Sequence, residues 1–245
     1  MKTHGLLFSA PMIRAFLRPV NPKTQTRRKI TAANSLVDGN GMSAKRWAEM
    51  NFDFSRSFVS LASYPQPFLH VPARNVKLNG NEETWHRIYP RIDVGDVIYA
   101  KETWNRTNPG GDDGVYFYRA DLRFPESIGG GLISRDTLWK SSMFMPERAA
   151  RIRRTVTAVR PEPLVQISDD DAKAEGLTAL SKDGALVKYG IPDIDGLPGT
   201  DDHGWQWHEW RISPIDAYFT LWNQLNGKNA HLQNPRVWVY TLGAA

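Results

Sequence analysis

The chain of 245 residues contains no cysteine. Disulfides, thiolate zinc sites and cysteine nucleophiles are excluded, and the absence fits a reducing compartment such as the cytoplasm. No apolar run approaches the roughly 20 residues that span a bilayer. The apolar start at Leu6-Leu7-Phe8 is broken at Pro11 and Arg14 with no small-residue cleavage site, which argues against a signal peptide. The phosphate-cradling spacings GxxxxGK[ST] and GxGxxG are missing, as are His-Glu-x-x-His, a Ser/His/Asp nucleophile elbow and a zinc-deaminase motif. These absences lead us to expect a soluble cytoplasmic protein with no membrane partner, no metal and no organic cofactor.

What is present is an ordinary globular composition, 41% hydrophobic and 23% charged, enough to build a full core. The net charge of +5 is unevenly spread. Residues 1–60 carry ten Lys and Arg against Asp38, Glu49 and Asp53, giving +7. Arg148, Arg151, Arg153, Arg154 and Arg160 form a second basic cluster, whereas 161–202 leans acidic through Asp169–Asp171, Glu175, Asp193, Asp195, Asp201 and Asp202. An asymmetric basic surface attracts phosphates.

Short strands are expected at Leu6–Phe8, Val97–Trp104, Val115–Tyr118, Ile152–Val159 and Val237–Leu242. Ser9 and Pro11 suit the start of a helix carrying Met12, Ile13, Phe16 and Leu17. Ser168 with three aspartates opens a helix that stops at Gly176. Ser213-Pro214 opens another, with Ile215, Phe219, Leu221, Trp222 and Leu225 as apolar positions, ending at Gly227. Residues 31–90 and 181–212 read as loop-rich inserts, the first with one short helix near Ser43–Met50. Gly129-Gly130-Gly131 marks a flexible loop. Without regular strand–helix alternation, the fold class is α+β: a small mixed or barrel-like sheet carrying helices.

Lys23-Thr24-Gln25-Thr26-Arg27-Arg28 packs three cations and two hydroxyls into six residues. On a strand, Thr24, Thr26 and Arg28 share one face and Gln25 and Arg27 the other. Later come Gly95-Asp96, Glu102-Thr103-Trp104, the Met145–Ile152 segment, Ile167–Gly176 and Asn234-Pro235-Arg236-Val237-Trp238-Val239. This ordered series resembles the ASCH domain family of the PUA-like superfamily, and most of all its longer phage and prophage members. The resemblance implies a single domain over 1–245: a small PUA-like β-barrel with flanking helices, and a cleft for a modified nucleoside or single-stranded RNA. It further implies an amidohydrolase that removes acyl groups from N4-acylated cytidine. Lys23 and Thr26 fall on the lysine and threonine of the family's Lys-x-x-Thr motif, Glu175 on its glutamate, and Arg28 on a cation two residues after the threonine. Asn21 stands where the family has a glycine, and Asn tolerates the left-handed geometry that such a turn needs.

The chemistry is coherent. Amide hydrolysis needs a nucleophile, a proton acceptor and a donor to the leaving amine. A desolvated lysine with a lowered pKa can take the threonine proton. We therefore expect catalysis from Lys23, Thr26 and Glu175, with Arg27, Arg28, Glu102 and Trp104 at the ligand and Glu102 available to pair with Arg28. Alternatives are a non-catalytic RNA- or base-binding module, whose binding would weaken with salt, and a ribonuclease. Asp201, Asp202, His203, His208 and Glu209 are a weaker metal candidate and read better as a solvated loop. Trp205, Trp207 and Trp210 either stack on bases or pin their insert to the core.

Overall fold

The computed structural model describes residues 1–60, 67–74, 83–107, 114–121, 139–200 and 204–243. Gly129–Gly131, Asp201, Asp202 and His203 lie outside these residues. The chain begins with β1 (Thr3–Leu7), α1 (Ala10–Leu17) and β2 (Gln25–Lys29). Then follow β3 (Ser35–Val37), β4 (Asn40–Gly41), α2 (Ala44–Glu49), β5 (Phe58–Ser60), β6 (Phe68–Arg74) and β7 (Glu83–Pro90). The middle of the chain gives β8 (Val97–Lys101), β9 (Trp104–Arg106), β10 (Tyr116–Tyr118) and β11 (Arg153–Pro163). It closes with α3 (Asp169–Ala174), β12 (Thr178–Ser181), β13 (Val187–Gly190), α4 (Pro214–Asn226) and β14 (Arg236–Leu242).

The arrangement is α+β. One sheet has the order β1-β8-β11-β14-β2; β1 and β8 run parallel and the other pairs antiparallel. β14 lies between β11 and β2, and its Val237, Trp238, Val239 and Tyr240 are wholly buried. The expected barrel is not closed: among the described residues β1 and β2 are not hydrogen-bonded strands. The sheet nevertheless curls strongly. Five flat strands at about 4.8 Å spacing would hold the edge strands roughly 19 Å apart. Arg28 of β2 instead reaches across to the Leu7 carbonyl at the end of β1, at 2.7 Å.

Residues 31–90 are the main departure from expectation. The short helix is there, capped by Ser43, whose hydroxyl accepts from the Arg46 N–H. The other described residues of this span are not loop-rich. It builds a second five-stranded sheet in the order β4-β3-β7-β6-β5. Its Val37, Leu69, Val71 and Ile88 join the same apolar core as Ile98, Val156 and Trp238. The Trp238 indole N–H donates to Ser35 Oγ at 2.9 Å, tying the two sheets together.

Smaller corrections have local causes. The Val97–Trp104 run splits into β8 and β9 at Glu102 and Thr103. β11 continues through Pro161 and Pro163, because beyond Thr155 it pairs on one side only, with β14. Prolines are tolerated on such an open edge. A register shift between Val156 and Ala158 buries Val159 and turns Ala158 outward. Ser9 occupies the cap position of α1 but makes no side-chain cap hydrogen bond. α3 and α4 start as expected, on Ser168 and Ser213, and Gly176 and Gly227 follow them at positive φ. In α4, however, Ala217, Tyr218, Leu221 and Trp222 are buried, Phe219 is half-buried and Leu225 is exposed.

In the late insert, Trp205 and Trp210 are buried. The Trp210 indole N–H donates to the Trp205 carbonyl, and that of Trp205 to Gln224 Oε1. These two rings pin the segment to the core. Trp207 is half-buried, with Lys182 and Lys188 over its ring. Glu209 closes a cap on the Gln206 N–H. Among the described residues no helix is long and apolar enough to cross a membrane.

Candidate functional site

The gap between edge strands β1 and β2 is a cavity of about 250 Å³. β1 and the residues after it supply Leu7, Phe8 and Ser9, and α1 supplies Met12. Lys23 and the Thr26–Lys29 stretch of β2 form a second wall, and Glu175 closes one end. α4 covers it with Tyr218, Leu221, Trp222, Leu225 and Asn226, spaced at i, i+3, i+4, i+7 and i+8, one face of a helix. The volume is below the roughly 300–1,000 Å³ usual for drug-sized ligands, so the space suits a small molecule or a single ring.

The turn before β2 determines where Lys23 goes. Asn21 adopts φ 50°, the left-handed conformation expected of it. Arg18 donates to the carbonyls of Gly176 and Leu177 just past α3. The Lys23 N–H then bonds the Ala15 carbonyl and the Thr24 N–H the Ala174 carbonyl, both at 2.9 Å. The turn is thus fixed to the end of α1 and the end of α3 at once, and the lysine side chain enters the interior beside Glu175.

Lys23 is 2% exposed. Its Nζ donates to Glu175 Oε2 at 2.7 Å and to the Glu175 carbonyl at 2.6 Å. An ammonium has three N–H donors, and Glu175 takes two of them; the amine also lies 5.9 Å from the centre of the Phe16 ring. Burial pushes the Lys23 pKa below the ordinary lysine value; Glu175 opposes this, and Arg28 and Arg27 add to it. Thr26 is 3% exposed and lines the same cavity. Of the seven residues expected at the site, Lys23, Thr26, Arg27, Arg28 and Glu175 converge on this space.

Gly176 makes the arrangement possible. At φ +104° it ends α3 in a conformation other residues rarely adopt, and a Cβ there would lie 2.8 Å from Ala15 Cβ and 3.5 Å from the Lys23 stem. Gly176→Ala is expected to destabilise the fold by about 1–3 kcal/mol through left-handed strain and overpacking, read as a fall in Tm. It should also slow any reaction that depends on Lys23.

Arg27 and Arg28 part ways on β2. Arg27 points away from Thr26 and uses all five N–H donors internally. Nε and one terminal nitrogen reach Glu162 Oε1 at 3.1 and 2.8 Å. The same terminal nitrogen reaches Asp171 Oδ2 at 2.7 Å, and the other serves Gln25 and Glu175, both at 3.2 Å. Arg160 bonds the other oxygen of Glu162 and shares Asp171 Oδ2 with Arg27. Arg27 therefore has no donor left for a ligand, contrary to expectation; it braces Glu175. Arg28 lies over the Phe8 ring at 4.7 Å and bonds the Leu7 carbonyl. It has no ion-pair partner among the described residues, so its charge is available to the cavity.

Glu102 and Trp104 are not brought to this cavity. Glu102, 1% exposed, takes a bidentate pair from Arg151 at 2.8 and 2.9 Å rather than Arg28. Burial holds its carboxyl above the usual range, against the pull of Arg151. Trp104 packs with Met145 and Ala149 in a small separate core. The sequence reading also missed residues. Glu162 and Asp171 support Glu175 through Arg27, and long-range ion pairs leave no local signature. Tyr218 lines the cavity, with burial and then Glu175 pushing its phenol pKa well up. The 218-221-222-225 spacing was the available signal.

Compared with family models, curated proteins and solved structures, the chain has no match.

Proposed function

We propose that this cavity binds a cytidine-type base carrying an N4-acyl group and hydrolyses that amide. The observation carrying this reading is the buried Lys23, held by Glu175 and depressed in pKa, opening onto the same small cavity as Thr26. The order of motifs resembling the ASCH family supports it. So does the curled sheet, whose gap Arg28 bridges where a closed barrel would pair its edge strands.

In this mechanism the Lys23 amine takes the Thr26 hydroxyl proton as Thr26 Oγ bonds to the acyl carbon. The C–N bond then breaks, and the Lys23 ammonium returns the proton to the leaving N4 amine. Water, deprotonated by the same lysine, attacks the acyl-threonine ester, releases the carboxylic acid and restores the hydroxyl. Glu175 anchors Lys23, and Arg27 anchors Glu175. No step requires a metal or organic cofactor. Incubation with N4-acetylcytidine is expected to yield cytidine and acetate in equal amounts. Binding of cytidine without any turnover would reduce the cavity to a recognition module.

A further inference from the structure

A second cavity, of about 540 Å³, is walled by the end of β2, by α2 and the turn after it, by the end of β11 and by the segment entering β14. Two of the residues lining it are cations, Lys29 and Arg236, and among the described residues none of the lining is Asp or Glu. Lys29 is exposed and has no ion-pair partner among the described residues. Arg236 is half-buried and donates to the Ser57 carbonyl at 3.1 Å and the Phe54 carbonyl at 3.5 Å. These neutral acceptors hold its guanidinium in place without cancelling its charge. Burial lowers the Arg236 pKa and no carboxylate opposes it. The acids next to the lining in sequence are already paired, Asp53 with Arg56 and Glu162 with Arg27 and Arg160. Trp47 and Phe54 line the same space, both partly exposed, their rings 6.2 Å apart and inclined by 25°. Two unneutralised cations beside aromatic rings suit a ligand that is anionic and carries a ring of its own.

Lys29 lines this cavity and the first one as well. It stands three residues beyond Thr26 on β2, about 10 Å along an extended strand, which is comparable to the length of one nucleotide. We propose that the second cavity holds the phosphate and base of a nucleotide joined to the base in the first cavity. Lys29 and Arg236 would meet the phosphate, and Trp47 and Phe54 the ring. The ligand class is then a phosphodiester-linked single strand rather than a free nucleoside. The volume lies within the roughly 300–1,000 Å³ of sites for larger ligands, so it admits a whole nucleotide where the first cavity admits a single ring. The inference rests on the base-binding reading of the first cavity but not on hydrolysis.

The test is calorimetric titration of the full chain with cytidine and with the dinucleotides CpU and UpC, in ribo and deoxyribo forms, at low and high salt. At least one dinucleotide is expected to bind about 5- to 100-fold tighter than cytidine, the range for one stacked base. Its affinity should fall as salt rises, while that of uncharged cytidine should not. Lys29→Gln, at an exposed position, should leave Tm unchanged and shrink both the dinucleotide advantage and its salt dependence. Trp47→Leu should shrink the advantage severalfold. Cytidine bound as tightly as every dinucleotide overturns the proposal and leaves the base-binding reading standing. An advantage that survives intact in both variants, each folded by its Tm, places the second nucleotide elsewhere and overturns it too. Should Trp47→Leu fail to fold, Lys29→Gln decides alone. If neither cytidine nor any dinucleotide binds, the base-binding reading falls and this inference with it. Tighter binding of either sugar form supports the proposal and identifies the strand as RNA or DNA.

Discussion

Lys23→Ala is expected to cut the rate of N4-acylcytidine hydrolysis by about 10²- to 10⁴-fold, the range for losing a positioned general base. The size follows from placement. Lys23 is a buried amine lining the same cavity as Thr26, and Glu175 has only carboxylate oxygens to offer in its stead. Its pH signature is specific. Burial lowers the folded-state pKa below 10.5, so the amine fraction, and with it kcat/KM, should rise with pH with its midpoint below 10.5. The sign for stability follows by linkage. Between the folded and unfolded pKa values the unfolded chain binds more protons, so stability rises with pH through that window. Below it the buried charge is a constant cost. Lys23→Met should abolish both the alkaline rise in activity and that part of the stability profile. A rate in Lys23→Met that still climbs with pH as in wild type would remove Lys23 from the mechanism.

Arg27→Met is expected to have the largest effect on stability. The Arg27 side chain is fully buried and bonds three carboxylates. Removing one partner of a buried ion network costs about 3–5 kcal/mol. Arg160 still serves Glu162 and Asp171, and Lys23 still serves Glu175, which places the effect toward the lower end. A protein of this size should lose roughly 6–15 °C in Tm, checked by thermal unfolding. A change within a degree or two would mean that the network contributes little. Activity should fall as well, because Glu175 loses its brace on the side away from Lys23.

The network also revises the charge reading of the sequence. The excess of +7 over residues 1–60 suggested a surface for phosphates. Lys23 and Arg27 instead point inward, where the acidic 161–202 region meets them as Glu175, Asp171 and Glu162. Two of the ten cations of residues 1–60 are thus matched internally by a distant segment. Arg28 and Lys29 line the cavity without an ion-pair partner among the described residues.

Features governed by local rules were legible. The caps of α3 and α4, the stops at Gly176 and Gly227 and the left-handed Asn21 all depend on a few neighbouring residues. The split of Thr26 and Arg28 from Arg27 follows from strand alternation. The sheet in 35–90 was not legible for equally physical reasons. β3 and β5 have three residues each, too few to display alternation, and Pro72 sits inside β6 while Pro90 ends β7. Local propensity argues against strand at those prolines, yet burial of Leu69, Val71 and Ile88 in the shared core outweighs it. The partners of Glu102 and Arg27 were invisible for another reason. Arg151 lies 49 residues from Glu102, and Glu162 lies 135 from Arg27; such pairings are decided by topology alone.

The hydroxyl of Thr26 carries the central claim, and comparing wild type, Thr26→Ser and Thr26→Val in the release of cytidine from N4-acetylcytidine tests it most directly. Wild type should turn over, Thr26→Ser should retain part of the rate, and Thr26→Val should bind cytidine yet release none from the acylated substrate. Equal rates in wild type and Thr26→Val would contradict the account.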